Sequence, residues 1–119
     1  MINNKDLKIS EMIELSYKLW EKNKEKWSPM EPEYGKDFIL YMIEEVGEVI
    51  EIIKKKSEEE IMNDNVIRER FIEELGDVLM YFIDVLNRFD ISAEEFSEKY
   101  IEKYRTNLGR DFEKQHKDF

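Results

Sequence analysis

The sequence predicts an all-α protein, a bundle of about four main helices, on three observations. Apolar residues recur at three- and four-residue spacing through long stretches, as in helices that bury one face. Clusters of helix-breaking residues separate those stretches: Pro29, Pro32 and Gly35, then Asn63-Asp64-Asn65, then Ser92. No Pro/Gly/Ser-rich linker divides the chain, so one domain over residues 1–119 is expected, with 110–119 as a charged tail.

The first helix is expected over about residues 6–24, where Ile9, Met12, Ile13, Ser16, Leu19 and Trp20 form the apolar stripe. Trp20 reads as packing, with a pocket role as the alternative. Periodicity stops over residues 27–37. Ser28-Pro29 and Glu31-Pro32 favour extended backbone before each proline, and a loop that long in a small domain suits a binding site. Trp27 at its head either staples the loop to the bundle or offers a stacking face to a base. Asp37 is the expected N-cap of a second helix reaching about residue 56, where Lys54, Lys55 and Lys56 suit the negative end of the helix dipole. Residues 57–62 read as a short helical link. A third helix spans about 66–88, and a fourth starts at Ser92 with Glu95 completing a capping box. Its side carries Phe96, Tyr100 and Tyr104.

The second and third helices share a phrase. Ile43-Glu44-Glu45-Val46-Gly47-Glu48-Val49 returns as Ile72-Glu73-Glu74-Leu75-Gly76-Asp77-Val78. At about 100° per residue, Glu45 and Glu48 lie about 60° apart on one face, as do Glu74 and Asp77. Phe38, Tyr41, Val49 and Ile52 flank Glu45, while Ile67, Val78, Tyr81 and Val85 flank Glu74, so these acids sit inside apolar stripes. Burying them unpaired would cost several kcal/mol or neutralise them. Antiparallel packing through equivalent faces would converge four carboxylates, and two such charges about 5 Å apart repel by roughly 3 kcal/mol. A counter-ion is therefore expected. The donors are all oxygen, no cysteine is present and the one histidine, His116, falls in the tail, so a hard divalent cation fits better than zinc. Gly47 and Gly76 each weaken a helix by about 1 kcal/mol relative to alanine, which close approach of another backbone would explain. Acid pairs at the same spacing also occur at Glu11/Glu14 and Glu95/Glu98, where a solvated face accounts for them in a chain with 29 acidic residues.

The net charge of −10 argues against a nucleic-acid polymer as partner, because phosphate would be repelled over most of the surface. A small polyphosphate bridged by cations is compatible with it. The longest uncharged apolar runs fall far short of the roughly 20 residues that span a membrane. With no apolar signal core and no disulfide framework, a cytoplasmic protein is expected.

The paired phrases Glu45-x-x-Glu48 and Glu74-x-x-Asp77 resemble the signature of the MazG-like all-α nucleoside triphosphate pyrophosphohydrolases, with similarity from about residue 20 to 110. The resemblance implies Mg²⁺, or Mn²⁺ as a substitute, on Glu45, Glu48, Glu74 and Asp77, with Glu44 a possible partner of the attacking water beside Glu45. It implies a nucleotide-facing Tyr81, and phosphate or sugar contacts from Lys103, Asn107 and Arg110, although Gly109 and the Asp111-Phe112 pair depart from the family pattern there. A homodimer or homotetramer and a nucleoside triphosphate substrate follow from the same resemblance. Phosphoribosyl-ATP pyrophosphohydrolases and dimeric dUTP hydrolases are rivals within the superfamily. A di-iron or di-manganese bundle is disfavoured, since those use Glu-x-x-His pairs. An acidic helical interaction protein without enzymatic activity is the remaining alternative.

Overall fold

A computed structural model describes residues 6–110, so the charged tail beyond Arg110, with His116, lies outside the described residues. Five helices and no strand occur among them: α1 (Ile9–Asn23), α2 (Gly35–Lys55), the short α3 (Glu58–Asn63), α4 (Asn65–Arg88) and α5 (Ala93–Leu108). The four longer helices are the four expected, and the 57–62 link is α3.

The helix ends show which local signals operate. Ser57 and Glu60 form a full capping box at α3. Asp64 accepts from the N–H groups of Val66 and Ile67 at the start of α4. Ser92 caps α5 by accepting from Glu95 N–H, but the reciprocal Glu95 bond is not made, so the expected box is half formed. Helix α2 corrects the sequence expectation. A single 3₁₀ turn, Pro32–Tyr34, runs straight into it, and Gly35 is its first residue rather than a breaker. Asp37 therefore lies in the first turn, not at the cap, and still favours the helix dipole there. Gly35 is needed for space: a Cβ would overlap the Phe89 ring. Helix α4 ends in a Schellman arrangement, with Ile91 N–H donating to Leu86 O and Asp90 N–H to Asn87 O. Asp90, at φ 54°, takes the left-handed position that glycine usually fills.

Helices α2 and α4 form the central pair, α1 and α3 pack on α4, and α5 contacts α1 and, through Phe96, the Phe82 ring of α4. The pair is antiparallel: Phe38 meets Tyr81 near one end and Ile52 lies with Ile67 at the other. The fully buried apolar core is small, comprising Val49, Ile83 and Leu86. Asn87 of α4 donates to Ile13 O of α1 at 3.0 Å, and the Phe82 ring stacks on Phe96 of α5. Gly47 and Gly76 have open space around them, so no backbone among the described residues explains them.

Candidate active site

Antiparallel packing brings the two phrases together. Glu45 of α2 faces Glu74 and Asp77 of α4, and each of the three offers an oxygen within 4.8 Å of the others. All three are half-buried. The Glu45 carboxyl is held above its ordinary range, first by burial, then by Asp77, Glu74, Glu48 and Glu44. One cation is close: Arg70 Nε lies 3.6 Å from Glu74, but its side chain is mostly exposed, and such pairs contribute little. The cluster is short of positive charge, its donors are all carboxylate oxygens, and that set suits a hard divalent ion.

Beside the cluster opens a cavity of about 570 Å³ whose wall includes Glu45, Asp77, Tyr81, Phe38, Tyr41 and Trp27. Tyr81 packs between Phe38 and Tyr41, with ring centroids 6.1 and 6.0 Å away. Burial, followed by the charges of Glu45 and Asp77, keeps its hydroxyl protonated to higher pH than usual. On the other side of the cluster along the same helix pair lies a second depression, of about 430 Å³, bordered by Glu48, Lys55, Lys56 and Arg70.

The sequence-derived residues fall into three groups. Glu45, Glu74, Asp77, Tyr81 and Trp27 share the cavity or its acidic edge. Glu48 is exposed one turn further along α2, close enough to disfavour ionisation of Glu45 but outside the 4.8 Å cluster. Glu44 is likewise exposed beside it. Lys103 and Asn107 on α5 and Arg110 beyond it are exposed and line neither cavity.

Two further residues went unnoticed in the sequence. Asp84 lines the cavity two turns beyond Asp77, and Arg88 one turn later is the most deeply buried large side chain. Arg88 Nε donates to Asp84 Oδ1. Its Nη1 donates to Pro29 O at 2.6 Å and Ser28 O at 3.3 Å, and its guanidinium carbon stands 3.7 Å from the Phe38 ring centroid. The Asp84-x-x-x-Arg88 spacing, in phase with Asp77, was the available signal. Trp20 belongs to this support, donating Nε1–H to Ser28 O at 2.8 Å, rather than to the cavity wall.

Fold and site together define an all-α protein in which two antiparallel helices pool carboxylates at the edge of an aromatic cavity. Residues 34–108 match the MazG nucleotide pyrophosphohydrolase domain, and the chain belongs to that family. Members of the family generally depend on a divalent metal. No curated protein and no solved structure matched the chain. None of the described helices is long and apolar enough to cross a membrane.

Proposed function

We propose that this protein hydrolyses a nucleoside triphosphate to the monophosphate and pyrophosphate, using Mg²⁺, or Mn²⁺ in its place, on Glu45, Glu74 and Asp77, with Glu48 as the fourth acid of the set. The observation that carries this is the convergence of both copies of the repeated phrase on one cation-poor cluster at the edge of an aromatic cavity. A divalent ion there supplies Lewis-acid stabilisation of phosphate charge and a more acidic water.

The chain supplies the rest. Phe38, Tyr41 and Tyr81 line the cavity with aromatic surface, and a nucleotide seated against them would displace water and strengthen charge interactions there. Trp27 offers its ring to the base. Glu44 takes the proton of the attacking water on a side-chain oxygen. The water oxygen bonds to the α-phosphorus, the bond from that phosphorus to the α,β-bridging oxygen breaks, and pyrophosphate departs carrying that oxygen. Glu45→Gln and Asp77→Asn should each abolish pyrophosphate release while the helical circular dichroism persists; unchanged turnover in both would refute the assignment. A panel that includes dUTP and phosphoribosyl-ATP separates the superfamily rivals.

Self-association is part of the same proposal, as a homodimer or homotetramer. Opposite the acids, Leu40, Ile43 and Ile50 surround Gly47, and Ile72, Leu75 and Leu79 surround Gly76, each of these six side chains being 43–60% exposed. Covering those residues with a second copy would hide exposed apolar surface on both central helices and bring a backbone close to both glycines. Sedimentation should show no monomer at micromolar concentration, and Ile43→Asp should produce one.

A further inference from the structure

The cavity has a direction. At about 1.5 Å per residue, Asp84 lies roughly 10 Å along α4 from Asp77 and on the same face. That is about the span from the α-phosphate to the outer edge of the base in an extended nucleotide. Beyond the acidic cluster in the opposite direction stand Lys55, Lys56 and Arg70. Glu48 and Glu51 line that depression too, leaving an excess of one cation there, which suits a triphosphate tail bridged by a divalent ion, whereas a flat, largely apolar base suits the end walled by Trp27, Phe38 and Tyr41.

At that base end Asp84 is the acid on the wall, and its two oxygens differ. Oδ1 accepts from Arg88 Nε, whereas Oδ2 has no donor among the described residues and is not sealed from the cavity. The orientation is fixed. Arg88 has no exposed side-chain surface and is held in turn by the Ser28 and Pro29 carbonyls and the Phe38 ring, so the carboxylate cannot swing away without breaking that set. Beside a guanidinium an aspartate acts as an acceptor only. Opposite a carbonyl of a base it would set lone pair against lone pair; opposite an exocyclic amino group it would accept a hydrogen bond.

We propose that Asp84 reads the base, selecting nucleotides that present an amino group, as cytosine and adenine do, over isosteric partners that present a carbonyl, as uracil and hypoxanthine do. This rests on the nucleotide reading given above. Isosteric pairs confine the effect to one edge of the base, because cytidine and uridine nucleotides differ only in the exocyclic group and the protonation of the ring nitrogen beside it, as do adenosine and inosine nucleotides. The wild-type protein should favour the amino member of each pair by about 10- to 100-fold in kcat/KM. The same order should hold for equilibrium binding of their α,β-methylene analogues by calorimetry. In Asp84→Asn the side-chain amide can donate as well as accept, so the preference should collapse to near unity or invert.

Equal turnover of cytidine and uridine triphosphates by the wild-type protein would overturn the inference without recourse to any variant. So would an Asp84→Asn protein slowed by one common factor on all four substrates, with a lowered melting temperature, since that is what a purely structural acid predicts. If no triphosphate is cleaved yet the analogues bind with the stated preference, the hydrolase proposal fails and base reading stands. If neither cleavage nor binding occurs, both fall.

Discussion

Two groups of acids line the same helix pair about three turns apart at their extremes, and they are neutralised differently. Asp84 has a cation built into the chain, in contact with it and fully enclosed. Burial holds the Asp84 carboxyl above its ordinary range, and the hydrogen bond and charge of Arg88 offset part of that rise. Among the described residues, Glu45, Glu74 and Asp77 have only Arg70 within ion-pair distance, 3.6 Å from one of them and mostly in solvent. A buried acid with an internal partner is part of the scaffold, and removing the partner should harm stability. Crowded acids without one are destabilising as they stand, and removing one should harm only what depends on the missing cation.

The largest effect should come at the crowded end. Asp77→Asn or Glu45→Gln should lower pyrophosphate release by a factor on the order of 10³ or more, in the range seen when a principal charge-stabilising group is removed, yet leave the metal-free melting temperature unchanged or higher. A parallel fall in stability would mean that these carboxylates hold the bundle together and would erase the contrast. The reverse pattern is expected at the other end. Arg88→Met strands Asp84 and releases two loop carbonyls, and breaking a buried pair from one side costs roughly 3–5 kcal/mol. Thermal unfolding measures it; a loss under about 1 kcal/mol would make Arg88 equivalent to a surface cation.

A smaller, conditional effect tests whether the crowded end awaits a cation. Divalent ion at about a hundred times its dissociation constant should stabilise by about 2.7 kcal/mol through mass action, whereas merely solvated faces would respond only to ionic strength. The sign with pH follows from Glu45, whose folded carboxyl titrates above its ordinary value of 4.5. The folded state then holds that proton more tightly than the unfolded state does. Metal-free protein should therefore lose stability as pH rises from 4.5 through the raised value. The cation binds the ionised form, so its stabilisation should be full above that value and fade as pH falls through it. The groups facing Glu45 are Glu74, Asp77 and Tyr81 across the groove, Glu44 and Glu48 on its own helix, and Lys26 on the cavity rim. Melting curves with and without Mg²⁺ at several pH values measure this; an Mg²⁺ effect independent of pH would place the ion elsewhere.

The crowded end was the legible one. Periodicity and the repeated phrase locate α2 and α4, put Glu45, Glu74 and Asp77 on facing stripes, and lead to the expectation of a counter-ion among them. Glu48 shares their helical face but is exposed one turn further along α2, outside the 4.8 Å cluster, and it stands with them only in the proposed function. The neutralised end was not legible for a different reason. Asp84 and Arg88 form an ordinary i, i+4 pair by spacing, like Glu14–Lys18 or Glu51–Lys55, both of which are on the surface. What distinguishes Asp84–Arg88 is burial beneath the loop before α2, a contact about 60 residues away in sequence. The Gly35 assignment failed for a related reason, since a glycine demanded by the Phe89 ring looks the same in sequence as one that ends a helix.

The finest test of the contrast is the loop that Arg88 holds. Trp20→Phe keeps an aromatic ring near Tyr17 but deletes the Nε1–H bond to Ser28 O along with one ring of the indole. That carbonyl still receives Arg88 Nη1, so it is not orphaned, and the hydrogen-bond share of the loss should be near 1 kcal/mol. The functional consequence should appear in KM more than in kcat. Trp27 and Ser28 move with the loop and line the base end, whereas Glu45, Glu74 and Asp77 are fixed by the α2–α4 pairing and do not depend on it. A Trp20→Phe protein that lost kcat with KM unchanged would show that the loop reaches the acidic cluster after all, and the two ends could no longer be treated as separately built.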